Sequence, residues 1–592
     1  MAVAPIFSAA GDFLASLCVP MTRPGGDGSQ SDDALLRRVN PPNASAFFRR
    51  FSERLRRAND FDFATLAVFA ALLVVVALTF RVYAVSNDEW VQHHYGELIL
   101  NYYKSGFTDR ALFQFDNLYL YGGLFDITAV ALSSIVPLEV YDLRHLMTAL
   151  CGLGGIAAAA ALARRIAGPR AGFLATLLLA TCAAWYGTMF NHTKDIPLAA
   201  AMTAASYFLI CAARELPRPQ WRHIFGFGLF TGLALGIKVL GLLLPVYAGV
   251  AVLMSLPRPL AIRGSVRHII TAALRFAPAF VLAYLIMIAA WPWAALAPLN
   301  PLRGLFQFAE FHYHITTWLH GQSYEMANAP RLYVPIYLAI RLPLLLLGAA
   351  IVALILVMLP RAMVRVLPAH ARRETALVIL MALFPLACQV IGHGPAFTGM
   401  RHFLFVVPPI AALAAIGLDA VLAALARGHI ALAATAFALV LGNAGWNAHR
   451  MVELHPYEYL YYNQLVGGLH GADRRYVMDY WVGVMPASVA QLGQFLERTE
   501  GGKKVVPPVY SVGVCGERKS FARELKVQGL IHRLRWTADW NRADFFIAPT
   551  HGNCDRVLEG RTIATITRDD TLIGVVKDRR RTTRPAIVDA TP

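Results

Sequence analysis

Charge is what this sequence has least of. Of its 592 residues only 15% are Asp, Glu, Lys or Arg, against about 25% in an ordinary soluble domain. Hydrophobic residues make up 57%, and the mean hydropathy is +0.49. A water-soluble globule is excluded on those grounds. Acidic residues are the scarcer sign: 37 Asp and Glu stand against 54 Lys and Arg, a net charge of +17. On a soluble chain that excess would point to nucleic acid. Here the basic residues sit mostly in short loops between apolar stretches, where they act as positive-inside topology signals, and no nucleic-acid partner is expected. A P-loop, a Rossmann glycine motif and a serine nucleophile elbow are also missing, which removes the case for a soluble nucleotide cofactor. Residues 1–20 are mildly apolar but lack a basic n-region, so no cleaved signal peptide is predicted.

What the chain does have is a series of apolar stretches of about 20 residues, each long enough to cross a hydrocarbon core about 30 Å thick. In lipid the backbone must satisfy its own hydrogen bonds, so these stretches are predicted to be helices. Spans are expected at 63–85, 140–163, 171–190, 196–213, 223–239, 241–256, 270–292, 333–359, 375–392, 401–424 and 429–446. The run 124–137 is marginal. Charge decides its fate. Arg49, Arg50, Arg54, Arg56 and Arg57 put the N-terminus inside, and Arg164, Arg165 and Arg170 belong inside too. Two crossings satisfy both ends, so 86–139 reads as one external loop with 124–137 interfacial or re-entrant. The expected fold is an all-α polytopic membrane domain of about eleven transmembrane helices with a small C-terminal α/β extramembrane domain.

Three regions follow. Residues 1–60 form a flexible basic cytoplasmic tail. Residues 61–450 form the membrane domain, with external loops 86–139 and 293–332. Residues 451–592 form the external domain, with strands predicted at 505–514, 545–548, 562–567 and 572–576 and the pair Asp569-Asp570 at a hairpin turn. Cys515 and Cys554 are the two cysteines of that domain. Both follow predicted strands, and an oxidising compartment favours joining them. The other reading is two unrelated thiols.

Ionisable residues at membrane depth are costly, so each is a functional hypothesis. Four clusters fall on the external side. In Ser86-Asn87-Asp88-Glu89-Trp90 two adjacent carboxylates could supply a general base, hold a divalent cation, or simply favour a helix N-terminus. The turn Asn191-His192-Thr193-Lys194-Asp195-Ile196-Pro197 starts a helix with Asp195 and Pro197, which leaves His192 and Lys194 unexplained. Lys238, near the external end of its span, either snorkels or meets an anion such as a lipid phosphate. The last cluster joins Glu310, His312, His314, His320, Glu325 and Arg331 of the second loop to His393, Arg401 and His402. Arg401 has the planar fork that fits phosphate, and His312 and His314 are either metal ligands or surface histidines.

Carboxylates for a base beside fixed cations for a phosphate suit transfer of a group from a lipid-phosphate donor. The pattern resembles the GT-C superfamily of integral-membrane glycosyltransferases, in its protein O-mannosyltransferase and aminoarabinose-transferase-like group (glycosyltransferase family 39-like). The residues that carry the resemblance are Asn87-Asp88-Glu89, Lys194-Asp195-Ile196-Pro197, the run Gly232-Leu233-Ala234-Leu235-Gly236-Ile237-Lys238, and Arg401-His402-Phe403-Leu404-Phe405-Val406-Val407-Pro408. It covers about 60–450.

The resemblance implies Asp88 as catalytic base, with Glu89 its acidic neighbour and Asp195 the second acid of the site. It implies donor-phosphate contacts from Lys194, Lys238 and Arg401, joined by His402. The donor would be a polyprenyl-phosphate sugar and the reaction inverting, with a lipid, glycan or protein as acceptor. Branches that use a divalent cation, Mg or Mn, would place it on Glu310 and His312. The external tail lacks the three-repeat β-trefoil signature of the eukaryotic mannosyltransferases. The expected location is a bacterial inner membrane, N-terminus cytoplasmic and C-terminal domain periplasmic. The alternative is a flippase or transporter of a lipid or polyprenyl-linked substrate, but no internal repeat is found and the polar residues gather on one face. A purely structural subunit would leave the acidic pair and the basic turn without a role.

Overall fold

The computed structural model describes residues 59–257, 259, 261–309, 315–359, 369–395, 397–500 and 508–583. The basic tail up to residue 58 and the proposed metal ligands Glu310 and His312 lie outside the described residues.

Numbering helices of eight or more residues, the membrane part contains α1 Asp60–Thr79, α2 Glu89–Lys104, α3 Leu124–Ser133, α4 Val140–Ala167, α5 Pro169–Ala180, α6 Asp195–Ala213, α7 Trp221–Leu235, α8 Leu243–Met254 and α9 Ile262–Ala290. After α10 Asn300–Ala309 come α11 Tyr333–Arg341, α12 Leu344–Met358, α13 Ala369–Gly392, α14 Val407–Gly428 and α15 Ile430–Leu454. Among the described residues seven of these are long and apolar enough to cross a membrane: α1, α4, α6, α9, α13, α14 and α15. The pair α11 and α12 passes the same test jointly, bent by 117° at Leu342-Pro343, where proline removes a helical hydrogen bond and forces the preceding residue extended.

The expected count of eleven is not reproduced by length. The stretches 171–190, 223–239 and 241–256 hold α5, α7 and α8, of 12, 15 and 12 residues. Hydropathy runs smoothly through their breaks, but the backbone does not. Helix α5 stops at Thr181, and α7 gives way after Gly236 to an extended Lys238, φ −147°.

That second break is pinned from outside. Leu124 N–H donates to the Gly236 carbonyl at 3.0 Å, and Gly123 N–H donates to Ala290 O at 3.0 Å. Gly122 lies so close that a Cβ there would stand 2.1 Å from Gly236 O. The expected loop 86–139 is thus largely helical, carrying α2 and the ten-residue α3.

Helix α4 sets an axis for the molecule. Its N-terminus is capped by the Glu139 carboxylate, which accepts from Tyr141 N at 3.0 Å and Asp142 N at 3.2 Å. Arg144 and His145 lie in its first turns, while Arg164 and Arg165 lie in its last. Twenty helical residues between Arg144 and Arg164 rise about 30 Å, which is the thickness of the hydrocarbon core. The two charged ends of α4 therefore belong to opposite faces. Helices α6 and α14 are the most buried spans, with 94% and 89% of their apolar windows covered. Both are alanine-rich, which lets neighbours approach closely. At Gly417 of α14 a Cβ would stand 2.3 Å from Ala349 O of α12.

The C-terminal region folds as a five-stranded sheet in the order β4-β3-β5-β7-β6, from β3 Tyr510–Val514, β4 Leu534–Trp536, β5 Phe545–Pro549, β6 Arg561–Arg568 and β7 Thr571–Asp578. (β1 Thr316–Leu319 and β2 Gln322–Glu325 form a separate hairpin in the second loop.) Strand β3 is parallel to β4 and β5, so a crossover is required, and α17 Arg518–Val527 supplies the one between β3 and β4. Helix α16 Met485–Glu500 precedes the sheet. Strands β6 and β7 pair as a hairpin closed by Asp569 and Asp570, φ 47° and 52°, the left-handed pair of a type I′ turn. A disulfide joins Cys515, just past β3, to Cys554 in the turn after β5, with Cα atoms 6.5 Å apart.

His551 opens that same turn, and burial pushes its imidazole down from 6.5 to about 4. The folded state therefore binds fewer protons than the unfolded state between those values. Its contribution to stability is complete above pH about 6.5 and is lost as pH falls towards about 4. Replacing His551 by Gln should flatten the acid dependence of the thermal unfolding transition in that window while leaving the transition at pH about 8 nearly in place.

Candidate active site

Four helix ends from distant parts of the chain converge on one cavity of about 580 Å3. Asp88 immediately precedes α2, Lys194 and Asp195 begin α6, Lys238 sits in the break between α7 and α8, and Arg401-His402 open the short 3-10 run that leads into α14. Asp88, Lys194, Lys238, Arg401 and His402 all line the cavity, with Tyr121 and Tyr480 among its other walls.

The charges are paired in a chain. Arg401 donates to Asp88, and its Nε stands 3.5 Å from Asp195 Oδ2. Lys238 donates to the other oxygen of Asp195. Lys194 stands 3.9 Å from Asp126 and 4.4 Å from the centroid of the Tyr121 ring, whose face attracts a cation. Each of these ions would cost several kcal/mol to bury alone. Exposure separates the two acids: the side chain of Asp195 is 7% exposed and that of Asp88 30%. Asp195 is a strut between two cations, whereas Asp88 still offers a face to the cavity.

Glu89, adjacent in sequence, points elsewhere. It is fully buried, accepts from Ser86 N at 2.8 Å and lies 3.2 Å from His145 Nε2. One carboxylate of the pair thus ties down the start of α2, in the manner of the acidic half of a capping box, and the other faces the cavity. Beneath the 191–195 turn lies a second ion pair. Asp126 and Arg144 meet at 2.8 Å, and Arg144 also donates to Thr193 Oγ1 at 3.1 Å.

Arg144 and His145 escaped the sequence reading, although ionisable residues inside a predicted span were the signal to follow. Tyr480 and Trp481, which touch Arg401, carry no such signal. They lie in the stretch assigned to the external domain. Among the described residues no three His, Cys, Asp or Glu side chains gather where they could hold a metal ion; both oxygens of Asp195 and Oδ2 of Asp88 face cationic side chains.

Residues 144–293 match the family described as dolichyl-phosphate-mannose-protein mannosyltransferase. That stretch runs from the start of α4 to just past α9 and carries Arg144, Lys194, Asp195 and Lys238. The matched stretch lies within the part of the chain whose long apolar helices mark it as an integral membrane protein, and over those residues the chain is similar to a family of membrane glycosyltransferases. No curated protein sequence matches it. Among solved structures, ArnT from Cupriavidus metallidurans in the apo state is 16% identical, with a TM-score of 0.45 over 86% of this chain and 97% of that one. The same protein bound to undecaprenyl phosphate is 15% identical, with a TM-score of 0.43 over the same shares. The Archaeoglobus fulgidus oligosaccharyltransferase in the apo form is 11% identical, with a TM-score of 0.41 over 79% of this chain and 64% of that one.

Replacing Lys238 by Met should leave Asp195 short of a counter-charge and cost roughly 3 kcal/mol of stability. Asp195→Asn in the same chain should restore most of the loss. Thermal unfolding of the two single variants and the double variant in detergent measures the coupling, and independent, additive losses would show that the pair is not the strut described.

Proposed function

We propose that the chain transfers a sugar from a polyprenyl-phosphate donor to an acceptor hydroxyl, with Asp88 as the general base. The observation that carries this reading is the cavity itself, where the partly exposed Asp88 carboxylate stands among fixed cations, Lys194, Lys238 and Arg401. The family match over 144–293 supports a polyprenyl-phosphate sugar as the donor class.

In the proposed reaction the donor phosphate lies against Lys194, Lys238 and Arg401, with His402 beside them. Asp88 accepts the proton of the acceptor hydroxyl as its oxygen attacks the anomeric carbon. The bond between that carbon and the phosphate oxygen breaks, and the electron pair leaves on the polyprenyl phosphate, where the cations meet the added charge. Attack opposite the leaving group inverts the anomeric centre. Asp195 holds Lys238 and Arg401 in place and takes no proton.

Positive-inside charge supports an orientation. Arg164 and Arg165 mark the cytoplasmic end of α4, and the opposite end, beside the cavity, faces away from the cytoplasm. In a bacterium that is the periplasmic side of the inner membrane, with the C-terminal domain there too.

The test is transfer of radiolabel from polyprenyl-phosphate sugars in native membranes, comparing wild type with Asp88→Asn at equal expression. Loss of the base should slow transfer about a hundredfold or more. A wild type that binds polyprenyl phosphate yet transfers nothing across a broad donor and acceptor panel would point to a flippase.

A further inference from the structure

Nothing above gives the C-terminal domain a role in the chemistry, yet its entry turn reaches the centre of the site. The Tyr480 hydroxyl accepts a hydrogen bond from Arg401 Nη1 at 2.9 Å. The Arg401 guanidinium carbon lies 4.5 Å from the centroid of the Trp481 ring and 5.6 Å from that of Tyr480. Trp481 is fixed in turn, since its indole N–H donates to His192 Nε2 at 2.5 Å. The arginine that bridges Asp88 and Asp195 is thus held by two aromatic side chains from beyond the last span.

The turn that presents them is built to hold one shape. Asp479 is fully buried and accepts from Gly483 N at 2.8 Å, from Val484 N at 3.0 Å and from the Tyr459 hydroxyl. Between them Val482 adopts φ 56°, a left-handed conformation that a β-branched residue takes only when its surroundings compel it. Tyr480 also meets the edge of the His551 ring, with centroids 5.9 Å apart, so the turn leans on the disulfide-closed loop of the sheet domain.

The same domain grips the other side of the cavity. The Asn87 side chain donates to Tyr480 O at 3.1 Å and accepts from Glu517 N at 3.1 Å. Ser520 Oγ donates to Val85 O at 3.0 Å. Asn87 immediately precedes Asp88, so its amide is bolted at both ends to the C-terminal region.

We infer that the C-terminal domain is a working part of the active site: through Tyr480 and Trp481 it sets the plane of Arg401, and through Asn87 it sets the position of Asp88. These are positioning residues, acting on the phosphate contact and on the base respectively. The inference rests on the functional reading proposed above, and it divides the effects of mutation in a way that a merely structural contact would not. Arg401 faces the donor, so loosening it should weaken donor binding. Asp88 acts on the acceptor, so displacing it should slow turnover at saturating donor.

The experiment uses the full-length protein in detergent with polyprenyl monophosphate as the binding probe, followed by transfer kinetics in membranes. Tyr480→Phe keeps the ring and loses the hydrogen bond to a charged group, and should weaken lipid-phosphate binding about tenfold. Trp481→Ala should weaken it at least as much, and Trp481→Phe should recover part of the loss because a ring face is restored. Asn87→Ala should lower kcat about tenfold or more while lipid-phosphate affinity stays within about twofold of wild type. Thermal unfolding identifies any variant that has lost its fold. The two phenylalanine variants, the mildest changes, keep the test open if Trp481→Ala does not fold. Folded Tyr480→Phe, Trp481→Phe and Asn87→Ala proteins with wild-type affinity and kcat would overturn the inference while leaving the glycosyltransferase reading intact. A wild type that binds no lipid phosphate would overturn that reading, and this inference with it.

Discussion

The constraint on which this structure turns is the burial of Arg401 between two carboxylates. A guanidinium, an ammonium and two acids cannot be withdrawn from water singly; they are stable together because each satisfies its neighbour. Asp88, Asp195 and Lys238 come from three separate helix ends, so the charges fix the relative placement of α2, α6 and the α7–α8 break more sharply than apolar packing between interchangeable aliphatic side chains would. A second pair, Asp126 with Arg144, repeats the arrangement one layer down and ties α3 to α4.

That constraint also accounts for the irregular helices. A continuous α7 through residue 240 would carry Lys238 along a helical path. Instead the chain opens at Gly236 and extends at Lys238, and α3 packs against the opening with its own backbone groups bonded to Gly236 and Ala290. Non-helical backbone at membrane depth is tolerated where protein covers it. Here the cover is the 121–124 segment, which also brings the Tyr121 ring within 5.8 Å of Lys238.

How much of this was legible in the sequence follows from which effects are local. The cations Lys194, Lys238 and Arg401 stood out because charge inside or beside an apolar run is expensive wherever it occurs. The strands of the C-terminal sheet were legible from alternation and turn residues, except the three-residue β4, which is too short to show a period. Two questions depended on tertiary contacts and could not be read locally. Asp88 and Glu89 are indistinguishable in a string of letters, and their division of labour arises because His145, 56 residues on, claims Glu89. The expected number of spans is not reproduced by helix length among the described residues, because hydropathy averages over breaks that hydrogen bonding and glycine packing create. Tyr480 and Trp481 illustrate a third limit: an uncharged aromatic pair in a stretch assigned to the external domain carries no local signal, and only the fold brings it to an arginine.

The wiring of the site has a consequence for how the protein is made. Asp88 pairs with a residue 313 positions later, and the amide of Asn87 bonds to residues 393 and 430 positions later. At the usual pace of synthesis, about 5 to 20 residues per second, the Asn87-Asp88 segment must wait about 20 to 90 s for its last partner to be made. No ribosome-bound fragment that stops short of the sheet domain holds both of Asn87's tethers. The candidate site is therefore completed only after every membrane span has been made, and truncation from the C-terminus removes its tethers before it removes any membrane span.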